Sequence, residues 1–213
     1  MMKVKIFTFN PYSENTYVLY DDSKECVIID PGAYTMEEQN ALYNFIKNEG
    51  LKPVLLLNTH AHIDHVLGNK FVYDSFGLKP QMHKEELPYL HAVASYAPQM
   101  GFNYQLSPEP EVFLKEEGVV SFGNSELEII FAPGHSAAHL CFYSKDDDFL
   151  IGGDVLFRES IGRTDLPGGN HELLLNSIKN KLWPLPDTCV VYPGHGGSTT
   201  IGHEKVNNPW LRG

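Results

Sequence analysis

The stretch of this sequence with the most chemical content is an HxHxDH motif at residues 60–65. His60 and His62 are two residues apart, so in an extended segment their rings point the same way and can share one metal ion. Asp64 and His65 come after a predicted turn, at the start of a predicted helix. Their side chains would face a second metal position close to the first. The motif therefore predicts ligands for two adjacent metal ions.

Three further candidate ligands each follow a predicted strand and stand directly after a glycine: His135, Asp154 and His195. Glycine at these places lets the backbone approach the site closely. Together with the motif they form two ligand sets and a bridging aspartate: His60, His62 and His135; Asp64, His65 and His195; and Asp154 between them. Nitrogen and oxygen donors without a thiolate suit zinc, iron or manganese, so we expect two divalent ions, with zinc the first choice. His139, four residues after His135, is a candidate to contact and orient a ligand without binding the metal ion itself.

Such a pair of ions predicts hydrolysis by a metal-bound hydroxide. A bound ion lowers the pKa of its water from about 15.7 to near 7, and a second ion can polarise a carbonyl. A thioester suits this chemistry because its thiolate leaves with a pKa of about 8.5, so no strong general acid is needed. The sequence has no GxSxG motif for a serine nucleophile. Asp64 is the candidate catalytic residue, which would orient or deprotonate the water.

The elements that must position these residues can be predicted from hydrophobic patterning and turn residues. Strands are predicted at 4–9, 16–20, 26–29, 53–57, 127–131, 139–144, 149–151 and 188–192. Helices are predicted at 36–49, closed by Gly50, and at 171–182. Residues 84–106 allow two interpretations: an aromatic flap over a pocket, or a surface helix and loop whose aromatic side chains pack on the core.

Length and composition predict a single domain over residues 1–213. Sixteen Lys and Arg against 27 Asp and Glu give a net charge of −11, which argues against nucleic acid and anionic membranes as partners. No apolar run approaches the roughly 20 residues that span a bilayer, and the N-terminus lacks a secretion signal. Three widely spaced cysteines, Cys26, Cys141 and Cys189, predict buried thiols in a reducing cytoplasm. A small-molecule substrate is therefore expected.

These motifs resemble the metallo-β-lactamase superfamily, and in particular its short glyoxalase-II-like (hydroxyacylglutathione hydrolase-like) branch. The resemblance covers nearly the whole chain and rests on residues 15–17, 30–32, 60–65, 133–135, 153–157, 161–165, 194–202 and 208–209. It implies an α+β fold, a four-layer αββα sandwich with the metal site at one edge of the two sheets. It also implies that the seven residues above are the ligands. Asp154 at the bridging position is unlike the true β-lactamases, which have a cysteine there, and His62 is unlike the flavodiiron branch, which has a glutamate.

The resemblance implies a substrate of the S-lactoylglutathione type, but the contacts to the thiol differ. The family's glutathione-contacting lysine falls at Arg163, which keeps the charge and is the candidate substrate-binding residue. Two contacting tyrosines fall at Asp165 and Gly197, and the glutathione-binding C-terminal helical region of glyoxalase II is not expected. A different low-molecular-weight thiol is therefore plausible. The alternative role for Arg163 is a structural salt bridge to Asp165 or Glu159.

Two other functions are compatible with the same residues. Persulfide dioxygenases resemble this chain as well, and in that case His60, His135 and Asp154 would hold a single iron. We favour the hydrolase because Asp64, His65 and His195 complete a second site that one iron would leave idle. A non-catalytic metal-binding module is the third alternative, although structural zinc sites are usually closed by four ligands, often with thiolates.

Overall fold

The computed structural model describes residues 1–212, and Gly213 lies outside the described residues. The chain forms two compact units. The first comprises residues 1–114 and 121–125, and the second comprises residues 115–120 and the chain from 126 onward. That residues 1–213 form a single domain stays a prediction.

The first unit contains a mixed sheet of six strands. In chain order, which is also their order in the sheet, they are β1 (Lys3–Phe9), β2 (Glu14–Tyr20), β3 (Glu25–Ile29), β4 (Lys52–Leu57), β5 (Pro80–His83) and β6 (Phe113–Leu114). Strands β1 to β3 form an antiparallel meander, whereas β3 to β6 pair in parallel. The four strands predicted in this half of the chain are present. The short strands β5 and β6 carry no periodic pattern and were not predicted.

Four α-helices accompany this sheet: α1 (Met36–Asn48), α2 (Ile63–Val66), α3 (Asn69–Phe76) and α4 (Leu87–Tyr96). Helix α1 begins at a capping box in which the Thr35 side chain accepts from the backbone of Glu38 and the Glu38 carboxylate accepts from the backbone of Thr35. It buries Leu42 and Ile46 and ends before Gly50, whose φ of +64° suits glycine. The predicted helix at 36–49 is therefore confirmed.

Residues 84–106 form a helix and loop that pack on the core, which is the second of the two interpretations. Helix α4 is followed by a 3₁₀ turn at Ala97–Met100 and by Gly101 at a φ of +84°. The buried residues Leu90, Val93 and Phe102 pack with the HxHxDH loop residues Ala61 and Ile63. Residues 84–106 thus pack against the buried side of the HxHxDH loop.

The second unit contains another mixed six-stranded sheet and a two-stranded hairpin. The sheet runs in the order β14 (Thr199–Thr200), β13 (Val190–Pro193), β10 (Phe149–Gly153), β9 (Leu140–Ser144), β8 (Ser125–Phe131) and β7 (Glu117–Phe122). The hairpin pairs β11 (Leu156–Phe157) with β12 (Ser160–Ile161). Helices α5 (His171–Ser177) and α6 (Ile201–Asn207) complete the unit. Within residues 1–212 the structure has no helix with both the length and the apolar character needed to cross a membrane.

Helix α5 braces the loop that carries His135. Ser177 donates to the carbonyl of Pro133 at 2.7 Å, and the backbone N–H of Asn170 donates to the carbonyl of Gly134 at 2.7 Å. Gly134 has a φ of +130°, and a Cβ placed on it would lie 2.3 Å from the backbone nitrogen of Leu174. The predicted helix at 171–182 is present, with a π-helical turn at Ile178–Leu182 after α5. The loop conformation therefore requires glycine at position 134, because any side chain there would overlap helix α5.

We expect Gly134→Ala to lower the free energy of unfolding by at least about 2 kcal/mol, because the new methyl group adds backbone strain and overlaps the backbone of α5. The measurement is urea denaturation of the purified variant. Gly50→Ala is the matched control, since Gly50 also has a positive φ but no atom lies within 4 Å of the position that a Cβ would take there. Equal destabilisation by the two substitutions would show that the contact with α5 is unimportant.

Candidate metal centre

In the first unit, parallel pairing of β3 with β4 brings two loop residues together. Ile29 and Leu57 are register partners at the ends of these strands. Asp30, which follows Ile29, accepts from the backbone N–H of Thr59 at 2.7 Å, and Thr59 directly precedes the HxHxDH motif. The carboxyl ends of neighbouring parallel strands meet at one edge of a sheet, so the start of the motif is held against Asp30 by the strand topology.

The buried carboxylate of Asp30 also decides which nitrogen of two histidines carries the proton. Its Oδ2 accepts from Nδ1 of His65 at 3.0 Å and from the hydroxyl of Thr59 at 2.6 Å. Because the Thr59 hydroxyl has given its one proton to Asp30, it accepts from Nδ1 of His60 at 2.9 Å. Both imidazoles therefore carry their proton on Nδ1, which leaves the Nε2 lone pair for a metal ion.

The motif residues approach each other in the pattern that the spacing predicts. His60 Nε2 lies 3.1 Å from His62 Nδ1, so the two rings converge as expected for an extended pair. His65 Nε2 lies 3.7 Å from Asp64 Oδ2. Asp64 and His65 belong to the four-residue helix α2, which confirms the predicted turn and helix start. The backbone carbonyl of Asp64 is held by Asn10 Nδ2 at 3.0 Å.

A second buried carboxyl group stands near His65. Glu14 Oε1 is 4.0 Å from His65 Nδ1, and Glu14 Oε2 accepts from the hydroxyl of Thr16. Burial raises the pKa of Glu14 well above its usual value, and the neighbouring Asp30 adds to the increase. Asp30, at 3.0 Å, is therefore the carboxylate that accepts from His65 Nδ1, and Glu14 stands near the same nitrogen at 4.0 Å.

In the second unit, the parallel pair β10 and β13 places Asp154 and His195 together. Gly153 and Pro193 are register partners, and the backbone N–H of Gly194 donates to the carbonyl of Gly153 at 2.7 Å. Asp154 Oδ2 then lies 3.5 Å from His195 Nε2 and 3.4 Å from His135 Nε2. One carboxylate oxygen of Asp154 thus stands between two imidazoles, which is the arrangement expected of a shared ligand.

Arg163 contributes its backbone rather than its side chain to this cluster. Its carbonyl accepts from His135 Nδ1 at 2.8 Å, and since a carbonyl only accepts, His135 keeps its Nε2 lone pair for a metal. The guanidinium of Arg163 forms a bidentate pair with Asp165 at 2.7 Å for each contact. This pairing lowers the pKa of Asp165 to about 2 and raises that of Arg163. The predicted alternative salt bridge is therefore present, and substrate binding by Arg163 stays a prediction.

The distances between the predicted ligand atoms fit bound metal ions. Two ligands of a tetrahedral zinc, each about 2.0–2.1 Å from the ion, lie about 3.4 Å apart. The four ligand pairs within the two units are separated by 3.1, 3.4, 3.5 and 3.7 Å. Of the seven predicted ligands, His60, His65, His135 and Asp154 are buried, whereas the His195 side chain is 27% exposed. The residues therefore suit metal binding by donor type, tautomer and spacing.

Five contributors to these clusters were not predicted from the sequence: Asn10, Glu14, Asp30, Thr59 and the carbonyl of Arg163. Asp30 stands in an Asp-Pro-Gly turn that contributes to the family resemblance, but no role in the site is predicted for its side chain. Its position after an apolar strand, like that of the predicted ligands, was the available signal. A backbone carbonyl leaves no signal in the sequence, because any residue at position 163 would supply one.

Comparison with known proteins agrees with this geometry. Residues 9–195 match the family described as the metallo-beta-lactamase superfamily. The probable metallo-hydrolase YqgX of Bacillus subtilis is 38% identical over 213 residues, which cover 100% of this chain and 99% of that protein. The hydroxyacylglutathione hydrolase GloC of Haemophilus influenzae is 34% identical over 212 residues, which cover 99% of this chain and 98% of that protein.

Two solved structures resemble the chain over nearly its full length. The BLEG-1 B3 metallo-β-lactamase superposes with a TM-score of 0.91 and 39% identity, covering 99% of this chain and 100% of that chain. TTHA1623 in a di-iron-bound form gives a TM-score of 0.88 and 36% identity, covering 98% of this chain and 100% of that chain. The predicted α+β fold is thereby confirmed, and the chain belongs to the metallo-β-lactamase superfamily.

Proposed function

We propose that this metallo-hydrolase cleaves a small thioester of the S-lactoylglutathione type. The observation that carries the proposal is full-length similarity to GloC, which is named a hydroxyacylglutathione hydrolase. A thioester also suits the site, because its thiolate leaves with a pKa of about 8.5 and needs no strong general acid. The proposed products are a hydroxy acid and a free thiol.

We propose further that the chain binds two divalent metal ions, with zinc the first choice and iron or manganese as alternatives. The proposed ligands are His60, His62 and His135 for one ion, Asp64, His65 and His195 for the other, and Asp154 for both. Tautomers and ligand spacings in each unit support this assignment. The di-iron form of TTHA1623 supports two ions rather than one.

When bound, the ions would supply a nucleophile from water at neutral pH and polarise the thioester carbonyl. The protein side chains have the task of holding that arrangement and of handling the proton. Asp64 is the proposed catalytic residue, since its carboxylate, anchored through its own backbone by Asn10, can accept a hydrogen bond from the attacking water. Asp30 keeps the proposed ligand rings of His65 and His60 in one tautomer, since it accepts from His65 directly and reaches His60 through the hydroxyl of Thr59.

We propose that the protein acts in the cytoplasm on a small molecule, without nucleic acid or a membrane as partner. The three cysteines are buried thiols, and burial raises the pKa values of Cys26 and Cys189 to about 12. Such thiols are inert and suit a reducing compartment. The net charge of −11 supports the absence of polyanionic partners.

The proposed function predicts that the metal-loaded protein hydrolyses S-lactoylglutathione or a related hydroxyacyl thioester, with two metal ions per chain by elemental analysis. A penicillin belongs in the same substrate panel because BLEG-1 is named a B3 metallo-β-lactamase. Hydrolysis of the penicillin but of no thioester would overturn the proposal. Oxygen uptake with a persulfide and one iron per chain would replace it with the dioxygenase alternative.

Asp154→Asn should reduce kcat/KM for the thioester by more than about 100-fold, beyond the 10- to 100-fold that loss of a supporting residue usually costs. The amide keeps the shape of the side chain but removes the charge that a shared ligand needs. Asp146→Asn makes the same chemical change in an exposed turn and should leave activity and metal content unchanged. Equal activity of the two variants would contradict the assignment of Asp154.

The role proposed for Arg163 predicts a gain of function from Asp165→Asn. Removing the Asp165 charge frees the guanidinium for an anionic thiol carrier, and because exposed ion pairs are weak we expect a gain of at most about fivefold in kcat/KM for S-lactoylglutathione. A thioester of uncharged N-acetylcysteamine serves as the control substrate and should show no gain. The same substitution in an Arg163→Gln background should have no effect, and a gain there would contradict the role of Arg163.

A further inference from the structure

We propose that His139 is a positioning residue that holds the main chain of Asp154 so that its carboxylate faces His135 and His195. This inference rests on the proposed function, in which Asp154 is the shared ligand. His139 is fully buried and is not one of the proposed ligands. Its ring accepts a hydrogen bond from the backbone N–H of the residue that directly follows strand β10.

The contact is a hydrogen bond from the backbone N–H of Asp154 to Nε2 of His139, with a length of 3.1 Å. Because an N–H only donates, Nε2 must carry the lone pair, and the His139 proton is on Nδ1. Nδ1 lies 3.9 Å from the sulfur of Cys141, whose thiol donates to the carbonyl of Gly152 at 3.4 Å. The ring is thus fixed from both sides in a neutral tautomer.

Asp154 needs this support because the chain leaves β10 immediately before it. Gly153 has a φ of +50°, which turns the backbone away from the ladder, and its carbonyl is taken by Gly194. On the other side, Gly162 packs so tightly that a Cβ there would lie 1.9 Å from the Asp154 carbonyl oxygen. The contact with His139 is made by a side chain, so a substitution can remove it without altering the backbone of the turn.

His139 also ties Asp154 to the loop that carries His135. The carbonyl of His139 accepts from the backbone N–H of Ala132 at 2.9 Å, which closes the base of the loop at 132–139. The backbone of His139 therefore sets the position of His135, while its ring sets that of Asp154. One residue thus contacts both chain segments that carry these two side chains, whose nearest polar atoms are 3.4 Å apart.

The first test is direct and needs no metal. In metal-free protein labelled with ¹⁵N, a hydrogen bond from the Asp154 amide to His139 Nε2 should give a scalar coupling between the two nitrogen nuclei. The coupling should be present in the wild type and absent in His139→Leu. Absence of the coupling in the wild type would overturn the proposal, whatever the activity of the protein.

The second test compares His139→Gln with His139→Leu. A glutamine can place its side-chain carbonyl near the position of Nε2 and accept the same N–H, whereas leucine fills the space without an acceptor. We expect His139→Leu to weaken metal binding by about 10- to 100-fold in chelator competition, and to lower kcat with KM changed less than about twofold. His139→Gln should recover most of both losses. His91→Leu, at an exposed histidine of the first unit, is the control for loss of an imidazole.

The outcomes separate this inference from the proposed function. Equal impairment of the Gln and Leu variants, or full metal affinity in His139→Leu, would overturn the positioning role. A wild type that binds metal but hydrolyses no thioester would contradict the proposed substrate, while the metal affinities of the variants would still decide the role of His139. If His139→Leu fails to fold, as judged by circular dichroism and Tm, the Gln variant and the coupling in the wild type decide it.

Discussion

A histidine binds a metal ion only through the ring nitrogen that carries no proton. In this protein, a hydrogen bond from the other ring nitrogen to an oxygen acceptor determines which nitrogen that is. Each of three predicted ligands has an oxygen behind its Nδ1: Thr59 Oγ1 for His60, Asp30 Oδ2 for His65, and the carbonyl of Arg163 for His135. The Nε2 lone pairs are therefore oriented by the fold itself. An incoming ion meets rings that need neither to flip nor to exchange a proton.

The same strand arrangement delivers these groups in both units. Parallel neighbours end at the same edge of a sheet, and the residues that follow them become neighbours in space. In the first unit β3 and β4 bring Asp30 to Thr59, and in the second β10 and β13 bring Asp154 beside His195. Buried apolar strands thus have two roles, because they form the core and they set the spacing of polar side chains at their ends.

The sequence predicts these long apolar strands well, because hydrophobic runs are strong signals, and the HxHxDH motif identifies the candidate ligands that follow one of them. The sequence does not predict β11 and β12, because strands of two residues are too short to show a pattern, and it does not predict α6. Asp30 was hidden by its Asp-Pro-Gly turn, since the same residues also end strands without any further role. His139 was identified only by its position, and the N–H that it accepts could not be inferred without coordinates.

The contribution of Arg163 through its carbonyl has a consequence for the diversification of this enzyme. Since the bond to His135 comes from the main chain, any amino acid at position 163 would maintain it. The exposed guanidinium and its partner Asp165 can therefore be exchanged without disturbing the ligand that they adjoin. Under the proposed thioesterase function, a change of thiol carrier would therefore require no simultaneous change in the proposed metal ligands, and single replacements at the surface would suffice.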